Sequence, residues 1–222
     1  DEYKSIKRMD ASSPPNPALI NWVVSTYDKA VINECRQSLA CIRLLGELGA
    51  DVNKCRTGGE SPVFMAALND HVECIRVLHE LGADVNKCTT GGYSPVCIAA
   101  QKGQVECIRL LGELGADVNK CKTDGSSPVY IAAQHGHVEC MRLLLSLGAD
   151  INKSKSSGTC PIDTAVRSGV ISCVRLCIQL GANVQPFLQL ADATVLDPNI
   201  VHIVLDVRSL LDATGLVYSP HQ

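Results

Sequence analysis

The hydrophobic residues of this chain recur in two blocks, each repeated at a spacing of 33 residues. The first block reads SPVFMAA at Ser61, and its equivalents are SPVCIAA at 94, SPVYIAA at 127 and CPIDTAV at 160. The second block reads VECIRVL at Val72, and its equivalents begin at residues 105, 138 and 171. A fixed period of this length predicts an array of stacked units.

Each unit is expected to form two short helices. Ser61 is a good N-cap and Pro62 suits the first helical position, so a helix is predicted to start there. The second block places Val72, Ile75 and Leu78 on one helical face, and Gly82 follows as a left-handed cap. One such pair cannot cover its own apolar face, so neighbouring pairs must stack to complete the core.

The repeated segments GADVN, HVEC and SPV-x-x-AA resemble ankyrin repeats, whose fingerprint reads T-P-L-H-x-A over 33 residues. The resemblance covers about residues 23–187 and implies an all-α solenoid of stacked helix-turn-helix units with projecting loops and β-hairpin turns. The family's His is replaced at the four equivalent positions. That change makes the usual polar network between repeats an open question, and packing by two of the replacing residues is its expected substitute. The replacing residues are Phe64, Cys97, Tyr130 and Asp163, and the two expected to pack are Phe64 and Tyr130.

The chain divides into a lead-in and one repeat domain. The flexible lead-in is expected over residues 1–16 and a single ankyrin-repeat domain over residues 17–222. Within that domain we expect an extra N-terminal helix at about 17–26, five repeats, and a degenerate capping repeat at 188–216. The five repeats are predicted at about 23–55, 56–88, 89–121, 122–154 and 155–187.

Composition and charge narrow the classes of function. The net charge is −3 and aromatic residues make up 4% of the chain, which argues against a nucleic-acid surface built from clustered cations and stacking aromatics. No apolar run is long enough for a membrane span, and the first residues are charged, without a signal-peptide pattern. We therefore expect a monomeric intracellular protein, cytoplasmic rather than nuclear, without membrane insertion.

The twelve cysteines favour a reduced protein and fall mostly into two columns. One column lies on the second helix and is expected to be buried, with its members too far apart for disulfides or a shared zinc ion. The other lies in the loops beside lysines, and redox sensitivity is the alternative there. The columns are Cys41, Cys74, Cys107, Cys140 and Cys173, and then Cys55, Cys88 and Cys121.

The His-x-x-Cys pairs and a column of arginines are two further candidate sites. His71-x-x-Cys74 and His137-x-x-Cys140 are half-sites for a metal, but each lacks further ligands. No GxSxG, HExxH or GxxxxGK[ST] motif occurs, so we expect no enzyme activity, no catalytic or metal-binding residues and no cofactor. The arginine column at 43, 76, 109, 142 and 175 is flanked by glutamates and is expected to be a solvated outer face, with an acidic partner as the alternative.

The resemblance implies that a partner protein binds on the concave face, formed by loop tips and first helices. Tyr93 is the expected anchor because aromatic residues dominate interface hot spots. A variable solvated surface is the alternative. The predicted partner-binding residues are Glu60, Leu68, Asn69, Tyr93, Gln101, Lys102, Ser126, Gln134, His135 and Arg167.

These observations predict a non-enzymatic scaffold or adaptor. Two alternatives stay open from the sequence. One is a regulatory or targeting segment of a larger multidomain protein, and the other is a thiol-based redox or metal-responsive protein.

Overall fold

The computed structural model describes residues 32–183, with side chains from Leu39 onward, together with residue 209. The predicted lead-in at 1–16, the extra helix at about 17–26 and the degenerate repeat at 188–216 lie outside the described residues, apart from Ser209.

Nine helices lie in the described part of the chain, and no strand is found there. The predicted all-α stack of helix-turn-helix units is confirmed. The helices are α1 (Ile32–Glu47), α2 (Pro62–Leu68), α3 (Val72–Glu80), α4 (Pro95–Lys102), α5 (Val105–Glu113), α6 (Pro128–His135), α7 (Val138–Ser146), α8 (Pro161–Arg167) and α9 (Ile171–Gln179).

The helices form two layers. The first-helix layer contains α2, α4, α6 and α8, each packed on the next. The second-helix layer contains α1, α3, α5, α7 and α9, again in sequence order. Each first helix also packs against the second helix that follows it, so every unit contacts only its neighbours.

The first helices begin where the sequence predicts, because the Ser-Pro pairs cap them. The hydroxyls of Ser61, Ser94 and Ser127 each accept a hydrogen bond at 3.2 Å from the backbone N–H three residues later. Cys160 replaces the serine before α8. There the Asp163 carboxylate accepts hydrogen bonds at 2.8 Å from both the Cys160 amide and its thiol.

The core lies between the layers and runs through the described stack. Leu78, Leu111 and Leu144 are fully buried at equivalent positions of α3, α5 and α7. Burying one such side chain stabilises the fold by about 2 kcal/mol. The alanine pairs of α2, α4 and α6 are also fully buried, and their small side chains let the first helices pack closely.

The loops of successive units also pack against one another. They close as tight turns, with the Thr89 amide donating to the Tyr93 carbonyl at 3.0 Å. Gly92 has a φ of 77°, and a Cβ there would lie 2.7 Å from the backbone nitrogen of Thr123 in the next loop. Only glycine meets both the conformational and the steric requirement at this position.

A ladder of asparagines ties each loop to the next. The Asn119 side chain accepts a hydrogen bond from the Asp150 amide at 2.8 Å and donates to the Gly148 carbonyl at 2.9 Å. Asn86 and Asn53 make the same pair of bonds one and two units earlier, respectively. These asparagines therefore supply part of the polar connection between units.

The residues that replace the family's His contribute mainly by packing. Phe64 and Tyr130 are each 7% exposed, as expected for side chains that substitute packing for a polar link. Cys97 is fully buried and clusters with Tyr130 of the next unit. Asp163 is the exception, because its carboxylate caps α8.

We predict that Asn119→Ala lowers the free energy of unfolding by about 1–3 kcal/mol, because it removes two hydrogen bonds between units. Urea unfolding followed by circular dichroism measures this loss. Asn69→Ala is the matched control, since the Asn69 side chain bonds only the Met65 carbonyl of its own helix. Equal losses in the two variants would show that the ladder adds nothing specific.

Candidate functional site

The predicted partner-binding residues lie at two places in each unit. Glu60, Tyr93 and Ser126 each precede the serine that caps a first helix. The others lie at or next to the C-terminal ends of first helices, on α2, α4, α6 and α8. These are Leu68, Asn69, Gln101, Lys102, Gln134, His135 and Arg167.

A cleft of about 250 Å³ brings five of these residues together. It lies where the loops before α4 and α6 meet the C-terminal ends of those two helices. The five are Tyr93, Gln101, Ser126, Gln134 and His135. Hereafter these five residues and the cleft that they line are called the cleft face.

Four further residues line the cleft and were not predicted from the sequence: Lys122, Asp124, Ile131 and Lys155. Only one of them, Asp124, departs from the repeat, because the two preceding loops carry Gly58 and Gly91 at its position. Lys122 and Lys155 share their position with Arg56. Comparison of loop positions as well as helix ends would have identified Asp124.

Asp124 organises the charges of the cleft. Its Oδ1 accepts the Ser126 amide N–H at 3.0 Å, and its Oδ2 lies 3.0 Å from the Lys155 ammonium and 3.7 Å from that of Lys122. Burial acts to raise the pKa of the Asp124 carboxyl, but these hydrogen bonds and ammonium groups hold it well below its usual range. The carboxylate is therefore ionised throughout the neutral range.

The Lys122 ammonium packs over one face of the Tyr93 ring. The Lys122 ammonium lies 4.1 Å from the centroid of the Tyr93 ring, within the range of a cation–π contact. Burial acts to lower the pKa of Lys122, but Tyr93 and then Asp124 outweigh it and raise the pKa overall. Tyr93 is half-buried and packs on the Cys97–Tyr130 cluster, so its ring is fixed in position.

Only some of the predicted residues line the cleft, and not all of those have an accessible side chain. Glu60, Leu68, Asn69, Lys102 and Arg167 do not line the cleft. Ser126 lines it but is only 3% exposed, so a partner has little access to its side chain. Burial lowers the pKa of His135, as do His137 and Lys102, which favours its neutral form.

The arginine column lies on the second-helix layer. Arg76, Arg109 and Arg142 pair with the glutamate three residues earlier, at 3.4–3.9 Å, as the spacing predicts. A pair between units joins Arg43 and Glu80 at 2.7 Å. Each pair is about half exposed and contributes at most about 1 kcal/mol.

The cysteine column on the second helices is buried as predicted. Cys74, Cys107 and Cys173 are fully buried, and Cys41 and Cys140 are nearly so. Burial raises the pKa of the Cys173 thiol to about 11. Such thiols are packing residues with little thiolate at neutral pH.

The loop cysteines are half-buried, and each shares a hydrogen-bond acceptor with a lysine of the next unit. The Cys55 thiol and the Lys87 ammonium both donate to the Asn53 carbonyl, at 3.6 and 2.8 Å. Cys88 with Lys120, and Cys121 with Lys153, repeat this arrangement. A lysine of the following loop therefore approaches the same carbonyl oxygen as each loop thiol.

In the residues that the structure describes, no group of three or more His, Cys, Asp and Glu side chains could hold a metal ion. No helix in that same part of the chain is long and apolar enough to cross a bilayer.

The family model for ankyrin repeats (3 copies) matches residues 29–122 and again residues 114–187. Together these matches span well over half of the 222 residues. No curated protein matches the chain significantly.

We predict that Cys55, Cys88 and Cys121 account for the fast phase of reaction with a disulfide reagent such as dithionitrobenzoate. Their thiols are half-buried, while those of the second helices are at most 5% exposed. The measurement uses a Cys35→Ser background, in which all remaining cysteines are ones that the structure describes.

In that background, Cys55→Ser/Cys88→Ser/Cys121→Ser is expected to remove the fast phase, while the slow phase remains. Reaction in guanidinium chloride gives the total thiol count as the control. A fast phase that survives the triple substitution would show that a buried thiol is accessible after all.

Proposed function

The chain belongs to the ankyrin-repeat family, whose members are generally protein–protein interaction modules, and on that basis we propose that it is an adaptor that binds a partner protein through the cleft face. Members of the family are typically non-enzymatic. The proposed role is accordingly to hold a partner, without chemistry on it.

The cleft itself is the observation that carries this proposal. Five residues chosen because they vary among near-identical units line one cleft of about 250 Å³. In the part of the chain that the structure describes, the side-chain amides of Gln101 and Gln134 form no hydrogen bond with the protein. Polar groups of this kind are available to a partner's backbone or side chains.

The cleft face is also held rigidly. The loop before α6 is joined to the previous loop by the hydrogen bond from Thr123 Oγ1 to the Gly91 carbonyl at 3.2 Å, and to the next by the Ser156 amide. Lys122 fixes the Tyr93 ring from one side. A preorganised surface loses less conformational entropy on binding, so more of the contact energy remains as affinity.

The buried thiols support an intracellular location for this function. Eleven cysteines in the described part of the chain are free, and most are buried. Free thiols are typical of a reducing compartment. We propose a cytoplasmic rather than a nuclear location.

The test is capture of a partner from an extract of the source cells under reducing conditions. We expect Gln101→Ala/Gln134→Ala/His135→Ala to weaken capture about tenfold or more, because interface centres carry most of the binding energy. Tyr93→Ala is tested separately, since Tyr93 also packs on the Cys97–Tyr130 cluster. Circular dichroism and urea unfolding show whether each variant is folded.

The matched control is Arg76→Ala/Arg109→Ala/Arg142→Ala on the second-helix layer. These side chains are 49–59% exposed and form only weak ion pairs, so the fold should tolerate their removal. Loss of the partner in this control, with retention in the cleft variant, would move the binding site to the arginine column.

A further inference from the structure

The charges that line the cleft do not balance. Two ammonium groups, from Lys122 and Lys155, face one carboxylate, from Asp124, which is the only acidic residue among the lining residues. The lowered pKa of His135 favours its neutral form, so His135 does not account for the excess. One net positive charge is therefore left in the cleft, although the whole chain has a net charge of −3.

Asp124 contacts both lysines through a single carboxylate oxygen. Both ammonium groups approach Oδ2, while Oδ1 accepts the Ser126 amide. Each ammonium has three N–H donors. The pair therefore retains donors that Asp124 does not use.

The excess charge is partly shielded from water. The Lys122 side chain is 17% exposed and that of Lys155 is 32% exposed. An opposite charge placed here is attracted more strongly than at an open surface, because the local dielectric constant is lower. Lys102 lies close enough to His135 to lower its pKa, which adds a third lysine near the cleft.

We propose that the cleft binds an aspartate or glutamate side chain from an acidic segment of the partner, with the carboxylate accepting hydrogen bonds from the N–H groups of Lys122 and Lys155 that Asp124 does not use. The amides of Gln101 and Gln134 supply further N–H donors from the side of α4 and α6. The inference rests on the proposed function and names the chemistry of the partner. A carboxylate matches the single excess charge, whereas a phosphate group would bring about two negative charges.

The experiment measures fluorescence anisotropy of labelled short peptides with the full chain. The probes alternate glycine with glutamate, glutamine or phosphoserine. We expect the glutamate peptide to bind and the glutamine peptide not to bind. Affinity should fall steeply between about 20 mM and about 300 mM NaCl, since salt screens exposed charges.

Substitutions of the lysines and of Asp124 are expected to change the affinity for the glutamate peptide in opposite directions. Lys155→Gln is expected to weaken binding of the glutamate peptide about tenfold, and Lys122→Gln about threefold. Asp124→Asn should tighten it severalfold, because the amide keeps an acceptor for the Ser126 N–H but no longer competes for the lysines. Lys54→Gln is the matched control, with the same change in charge at a residue that does not line the cleft.

The inference would be overturned if the glutamate and glutamine peptides bound equally, or if neither bound. It would also be overturned if Lys54→Gln weakened binding of the glutamate peptide as much as Lys155→Gln does, or if the phosphoserine peptide bound more tightly than the glutamate peptide. The capture experiment tests the proposed function separately from the acidic contact. A captured partner that is lost with Gln101→Ala/Gln134→Ala/His135→Ala but retained by Lys122→Gln/Lys155→Gln would support the cleft face and refute the acidic contact.

Discussion

No helix pair of this protein can bury its own apolar side chains, and the next unit in the stack has to cover them. Leu78, Leu111 and Leu144 are fully buried for this reason, at equivalent positions one unit apart. The same requirement brings the loops together, so that Gly92 leaves room for the backbone of the following loop. The asparagine ladder then joins the backbone groups that this close approach brings within hydrogen-bonding distance. Helix packing, loop spacing and polar bonding are thus consequences of one stacking interaction.

Stacking also explains where the candidate site lies. Equivalent residues of successive units become neighbours in space, so a surface is formed by columns of the sequence rather than by segments of it. Where the columns vary, the surface acquires its own chemistry. The junction around α4 and α6 gains Tyr93 from one unit, Asp124 from the next and Lys155 from a third. No single unit contains the cleft.

The cysteines illustrate how the same residue type acquires different properties from its position. Those on the second helices lie in the core, where burial raises the pKa of Cys140 and Cys173 to about 11. Those in the loops lie at half-buried positions, where a lysine of the next unit approaches the same carbonyl oxygen. Packing therefore separates structural thiols from accessible ones.

The periodicity of the sequence was sufficient to determine the helix pairs, their Ser-Pro starts and the buried cysteine column. These properties depend on local propensity and on a 33-residue period, both of which are visible in the chain itself. The charged centre of the cleft was decided only by the tertiary structure. Lys122, Asp124 and Lys155 come together because a loop of one unit reaches the next, and the burial of Ser126 follows from packing around the start of α6. Side-chain directions and contacts between loops are set by the stacked neighbour, and the pattern of a single unit does not specify them.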